Sequence, residues 1–194
     1  MSINQEIEFK TLLTAREFAA AMGFFKESGL PQSMFRQDNH YFETDKGEFK
    51  ARRSALRVRR LEADGSHELT LKSKNELGHL EISQPISPSA FAAIKKEGIL
   101  PSGEVKDALL KMGLPAAGLK SLAKFTTKRC EIPYQGGLIC LDHTVFSHQE
   151  DFELEYEVAD FQAGEISFRQ LMEDLGLPGR PADSKIKRAL CRQT

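Results

Sequence analysis

The chain of 194 residues has room for one sizeable domain, and 40% hydrophobic with 28% charged residues is the composition of a globular protein. Its 27 basic and 28 acidic residues lack the basic excess expected of a general nucleic-acid binder. No apolar run approaches the ~20 residues that cross a bilayer, and residues 1–10 contain no signal-peptide core, so a cytoplasmic location without membrane attachment is expected.

Residues 3–10 alternate as a strand does, with Ile3, Ile7 and Phe9 on the apolar side and Glu6, Glu8 and Lys10 on the even, polar side. Thr14 with Glu17 three residues later is a capping box, and it opens a helix that Gly29-Leu30-Pro31 stops. Strand-like segments follow at 37–45, 54–62, 67–74 and 78–86, with Asp64-Gly65 as a hairpin turn. Ser87-Pro88 reads as N-cap and first helical position of a helix ending near Gly98. A further helix fits 102–112, and a short one is expected before Lys120.

Three more strands fit 122–133, 137–146 and 150–158, turning at Gly136-Gly137 and in the polar stretch around His148. Helices at 164–176 and 184–192 follow. No repeat or flexible linker interrupts the chain, so 1–194 is expected to form a single domain. Cys130, Cys140 and Cys191 have no metal-knuckle spacing and are expected to be free thiols. His40, His67, His79, His143 and His148 have no metal-ligand spacing and are expected at the surface or in turns. Phe24 and Phe25 read as core, and there is no Trp.

The strands carry more charge than a half-buried sheet needs. Glu6, Glu8 and Lys10 share a face, as do Arg57 with Arg59, Glu68 with Thr70, Lys72 and Lys74, and Glu153 with Glu155 and Glu157. The opposite faces are apolar: Leu56 and Val58; Leu69 and Leu71; Phe152, Leu154, Tyr156 and Val158. A sandwich with a solvated outer face explains any one of these strands. The pattern repeats with both signs of charge, and several amphipathic helices also need an apolar surface to cover. An α+β fold meets both demands: an eight-stranded antiparallel β-barrel with a polar lumen and helices packed outside. Lys and Arg suit phosphate oxygens, and carboxylates beside them suit a hard divalent cation that bridges protein and phosphate.

Glu6-Ile7-Glu8-Phe9-Lys10 matches an ExExK signature, followed in order by Leu56-Arg57-Val58-Arg59 and Glu68-Leu69-Thr70-Leu71-Lys72. Phe125-Thr126-Thr127-Lys128-Arg129, Cys140-Leu141-Asp142, Phe152-Glu153-Leu154-Glu155 and Ser184-Lys185 continue the series. Over essentially its whole length the chain resembles the CYTH proteins, or triphosphate tunnel metalloenzymes, and within them the bacterial YjbK-type branch. The resemblance implies a tunnel that holds a triphosphate-containing small molecule with Mg²⁺ or Mn²⁺. Carried over by position, Lys10, Arg57, Arg59, Lys72, Arg129 and Lys185 hold phosphate oxygens. Glu6, Glu8, Asp142, Glu153 and Glu155 hold metal, with Glu81 a further metal or substrate contact. Lys74 and Glu157 share the polar faces and are placed at a tunnel mouth.

The activity expected is hydrolysis of inorganic or small organic triphosphate by in-line attack of water, with Lys72 as general base. A class IV-type adenylate cyclase and a non-catalytic polyphosphate or nucleotide binder are the alternatives. The residues are compatible with a monomer or a homodimer.

Overall fold

Strand alternation and helix capping set the elements of the computed structural model, which describes residues 2–76, 78–147 and 149–191. His148 lies outside the described residues. In chain order the elements are β1 (Ser2–Leu13), α1 (Ala15–Glu27), β2 (Ser33–Thr44), α2 (Glu48–Ala51), β3 (Ser54–Leu61), β4 (His67–Asn75) and β5 (Gly78–Ile86). They continue as α3 (Pro88–Glu97), α4 (Glu104–Lys111), β6 (Leu119–Tyr134), β7 (Gly137–Val145), β8 (Glu150–Val158), α5 (Phe161–Asp174) and α6 (Lys185–Cys191). The strand order β1-β5-β4-β3-β2-β6-β7-β8 closes on itself as a barrel, which leaves no sheet edge unpaired. No described helix is long and apolar enough to cross a membrane.

Among the described residues the chain forms two compact units. One takes the start of β1 up to Gln5 together with Gln37–Phe125. The other takes Glu6–Arg36 and the chain from Thr126 onward.

In the first unit, β3 pairs antiparallel with β2 and β4, and β4 with β5. Phe42, Leu56, Val58, Leu69 and Leu71 come to one face and pack on Phe49 of α2, Ile94 of α3, and Val105 and Leu109 of α4. The helices therefore cover the apolar alternates, and Arg57, Arg59, Thr70 and Lys72 are left on the inner face. Ser87 caps α3 by accepting from the Ala90 N–H, with Pro88 in the first turn, and Gly98 ends it in the left-handed region at φ 68°. A Cβ at Gly98 would lie 2.5 Å from the Leu119 carbonyl oxygen, so the site is closed to other residues by space as well as by φ.

Two expectations fail in this unit. Residues 113–118 form a turn and bends, with no helix between α4 and Lys120 among the described residues. Gly113 and Gly118 both have positive φ, and Pro115 offers no N–H to continue a ladder. His40 and His67 are buried rather than superficial. His40 stacks on Phe42 at 4.6 Å and meets the edge of Phe91, which His67 also contacts, while Lys95 lies over the Phe91 ring.

Burial, with Lys124 and Lys95 nearby, lowers the His40 pKa from 6.5 to about 4, and its Nε2 lies 2.5 Å from the Ser121 hydroxyl. The folded protein thus holds His40 neutral where the unfolded chain would protonate it. Stability from this group is complete above pH 6.5 and is lost as the pH falls toward 4. Thermal melts of a His40→Gln variant should show a shallower fall of Tm across that window than the parent; identical slopes would remove His40 from the acid response.

In the second unit, β7 pairs with β6 and β8, and β8 with β1. Cys130, Ile132, Ile139, Leu141, Leu154 and Tyr156 pack on Phe25 of α1 and Leu171 of α5. Phe9 turns outward and lies 5.2 and 5.6 Å from Phe161 and Phe168 of α5, so Glu8 and Lys10 face inward. The capping box forms as expected: the Glu17 N–H donates to Thr14 Oγ1 at 3.2 Å, and the Thr14 N–H to Glu17 Oε2 at 2.7 Å. All three thiols are free, with Cys130 and Cys140 buried and Cys191 exposed.

Candidate functional site

Alternation along β6, β7 and β8 brings Arg129, Asp142, Glu153, Glu155 and Glu157 to the inner face of the second unit. Register places Arg129 opposite Asp142 and Asp142 opposite Glu153. Arg129 donates from Nε and Nη2 to Asp142 at 2.8 and 2.7 Å, and from Nη2 to Glu155 at 2.5 Å. The Lys185 ammonium, from the first residue of α6, lies 2.8 Å from Asp142, 3.1 Å from Glu153 and 2.6 Å from Glu155. Arg188, one turn further on, pairs with Asp151 at 2.9 Å and with Glu153.

Burial disfavours every charge here, and the partners decide each outcome. For Arg129, burial is outweighed by Asp142 and Glu155, and its pKa rises well above the usual value. Lys185 rises likewise, held charged by Asp142, Glu155 and Glu153. Asp142 and Glu155 are kept ionised against burial, Asp142 by Arg129 and Lys185, and Glu155 by Lys185 and Arg129. Glu153 goes the other way. Burial pushes it up to about 7 in spite of Lys185, and the like charge of Glu155 adds to the rise. Burial also pushes Glu157 up to about 7 against Arg129, with Glu155, Glu6 and Glu8 raising it further.

β1 completes this wall. Glu8 stands opposite Glu157 and Lys10 opposite Glu155, and the Lys10 ammonium is 2.8 Å from Glu8. Seven carboxylates (Glu6, Glu8, Asp142, Asp151, Glu153, Glu155, Glu157) therefore share the wall with four cations (Lys10, Arg129, Lys185, Arg188). The Glu153 Oε1 oxygen is buried and has no hydrogen-bond partner among the described residues. Excess negative charge, hard oxygen donors and an unsatisfied carboxylate oxygen fit a hard divalent cation. Ligand atoms of Cys140, Glu155 and Glu157 also lie within 4.8 Å of one another. Burial raises the Cys140 thiol, so it stays protonated and the donor set is one of oxygens.

The inner face of the first unit has the opposite balance. β3 and β4 present Arg57, Arg59, Lys72 and Lys74 with two carboxylates, Glu68 of β4 and Glu81 of β5. The Lys72 ammonium lies 3.4 Å from Glu81 across the β4–β5 pair. Glu81 stays ionised against burial because Lys72, Arg57 and Arg59 surround it. Arg59 Nε donates to Asn39 Oδ1 at 3.3 Å, and the Thr70 and Ser83 hydroxyls meet at 2.9 Å. Burial opposes the Arg57 charge, but Tyr41, Glu81 and Glu68 raise its pKa. Its buried Nε has no hydrogen-bond acceptor among the described residues. A buried guanidinium donor without an acceptor is a group that an anionic oxygen would satisfy.

The sequence-predicted residues thus fall into two sets. Glu6, Glu8, Lys10, Arg129, Asp142, Glu153, Glu155 and Lys185 form the acidic wall of the second unit. Arg57, Arg59, Lys72 and Glu81 form the basic face of the first, with Glu81 among its cations. Lys74 is exposed. Sequence reasoning missed Arg188 and Asp151, and it placed Glu157 only at the rim. The signal for Arg188 was its position three residues after Lys185, on the same side of a helix.

The model of the CYTH domain family matches residues 4–190. "Putative triphosphatase YjbK" of Bacillus subtilis is 36% identical over 192 residues, which cover 97% of this chain and 95% of that protein. Among solved structures, a Bacillus halodurans protein described as a putative adenylate cyclase superposes with a TM-score of 0.87 at 34% identity, covering 97% of this chain and 98% of its own. A Hippeastrum protein, described as revealing a dominant triphosphatase activity, shares the fold with a TM-score of 0.80 at 21% identity and 95% coverage of both chains.

Proposed function

The chain belongs to the CYTH domain family, and from that premise we propose that it is a divalent-metal-dependent triphosphatase. Its substrate is inorganic triphosphate or a small organic triphosphate. The observation that carries this reading is that each unit holds a buried group without a hydrogen-bond partner among the described residues, the Arg57 Nε donor in the first and the Glu153 Oε1 acceptor in the second. A phosphate oxygen satisfies the first and a cation satisfies the second. The printed name of the 36%-identical relative points to the same chemistry.

In this reading Lys10, Arg57, Arg59, Lys72, Arg129 and Lys185 bind phosphate oxygens. Glu6, Glu8, Asp142, Glu153 and Glu155 hold Mg²⁺ or Mn²⁺, and Glu81 is a further contact to metal or substrate. When bound, the metal supplies Lewis acidity to the phosphate oxygens and the attacking water. Arginine forks fix the triphosphate for in-line attack and offset the charge that develops on the transferring and leaving groups. Lys72, in its deprotonated amine form, takes the proton of the attacking water and becomes the ammonium. The buried carboxylates Asp142 and Glu155 keep Arg129 and Lys185 aligned before substrate arrives.

The test is incubation with tripolyphosphate, ATP or thiamine triphosphate in Mg²⁺, Mn²⁺ or EDTA, with the products resolved. Metal-dependent release of phosphate is expected. Cyclic AMP with pyrophosphate would make the protein a cyclase, and binding without turnover would make it a binder. The double variant Glu6→Gln, Glu8→Gln should stay folded and lose metal-dependent turnover. An unchanged metal titration would take β1 out of the metal site.

A further inference from the structure

Residues 175–184 run without regular structure from α5 to α6, and α6 has seven residues among those described. A helix that short does not hold itself in water, so its place must be set from outside. The linker is gripped at Arg180. Its guanidinium donates to both carboxylate oxygens of Glu17, from Nη1 to Oε2 at 2.7 Å and from Nη2 to Oε1 at 2.9 Å. Nη1 also reaches the Leu12 carbonyl at 3.3 Å.

The Arg180 backbone is held as well. Its N–H donates to Thr11 Oγ1 at 3.0 Å, and its carbonyl accepts from the Leu12 N–H at 3.3 Å. Pro178 and Pro181 stiffen the chain on either side. Glu17 is itself fixed, because Oε2 accepts the Thr14 N–H in the capping box. A two-pronged guanidinium–carboxylate pair sets orientation as well as distance.

We infer that Arg180 is a positioning residue for the triphosphate site: clamped on Glu17, it sets the point from which α6 delivers Lys185 and Arg188 to the carboxylates. This inference rests on the functional reading above. Lys185 follows Arg180 by five positions in the sequence and is the first residue of α6, with its ammonium among Asp142, Glu153 and Glu155. Arg188 Nη1 donates to the Asp183 carbonyl, which ties the end of the linker to the helix it feeds. The contacts of Arg180 are to β1 and α1, so it acts on the site through the cations it places.

Tripolyphosphate affinity with Mg²⁺, measured by calorimetry, and amide exchange across 185–191 test this in the full chain. Arg180→Gln should weaken tripolyphosphate binding about tenfold, as a small misplacement of binding groups does. It should also speed exchange in α6 while leaving β7 protected, and Arg180→Lys should recover part of the affinity. A lowered Tm with unchanged affinity would show a merely structural clasp and overturn the assignment. If the parent binds no tripolyphosphate, the functional reading fails. Exchange then decides the clasp alone: faster exchange in α6 supports it, and unchanged exchange overturns it.

Discussion

Arg129→Met should lower the stability of the protein by about 3–5 kcal/mol, the range seen when one partner of a buried ion pair is removed. Arg129 is 8% exposed and serves Asp142, which is fully buried, and Glu155 at the same time. Removing it leaves Lys185 to answer both carboxylates together with Glu153. Denaturant melts measure the loss, and the expected partner experiment is Arg129→Met with Asp142→Leu. That double variant removes an aligned pair rather than half of one, so it should regain a large part of the stability.

Phosphate release should stay absent in both proteins. The arrangement would then be kept for the substrate and not for the fold, since apolar side chains of similar size would hold the barrel as well. A denaturation midpoint unchanged in Arg129→Met would mean that Lys185 alone suffices, and the central place of Arg129 would be lost.

Much of both inner faces was legible before any coordinates, for a definite reason. A strand commits alternate residues to opposite faces, so Glu68-Leu69-Thr70-Leu71-Lys72 declares its own inner and outer sides. Leu69 and Leu71 pack under the helices, and Lys72 meets Glu81 on the other face. Capping signals were equally local: Thr14 with Glu17, and Ser87 with Pro88, act within one turn.

What stayed hidden depends on tertiary pairing or on elements too short to show a period. α2 spans four residues and shows no helical repeat in the sequence. Arg180 reads as an ordinary charge between two prolines, because its partner Glu17 lies far back in the chain and was already accounted for as a cap. His40 and His67 look polar by type. His40 shares a face with Phe42, and the alternation that exposed the carboxylates would have buried it had it been followed through. In a strand, position rather than residue type decides burial.

Lys72→Ala should reduce kcat by about 10²–10⁴-fold, the usual contribution of a positioned base. The sharper test is Lys72→Arg. Lys72 stands opposite Ala55 on β3 and Glu81 on β5, so one neighbour leaves space for a larger head and the other supplies a carboxylate for it. An arginine there keeps the positive charge that phosphate oxygens need, and KM for triphosphate should stay near that of the parent. Its guanidinium does not give up a proton near neutral pH and cannot serve as a base. A base must be deprotonated to act, so kcat of the parent should rise with pH through the titration of Lys72. That rising limb should vanish in Lys72→Arg while KM is kept. Should Lys72→Arg instead turn over at the parental rate with the same pH profile, the lysine contributes charge alone. Proton removal would then fall to another group, with Glu81, 3.4 Å from the Lys72 ammonium, the carboxylate to examine next.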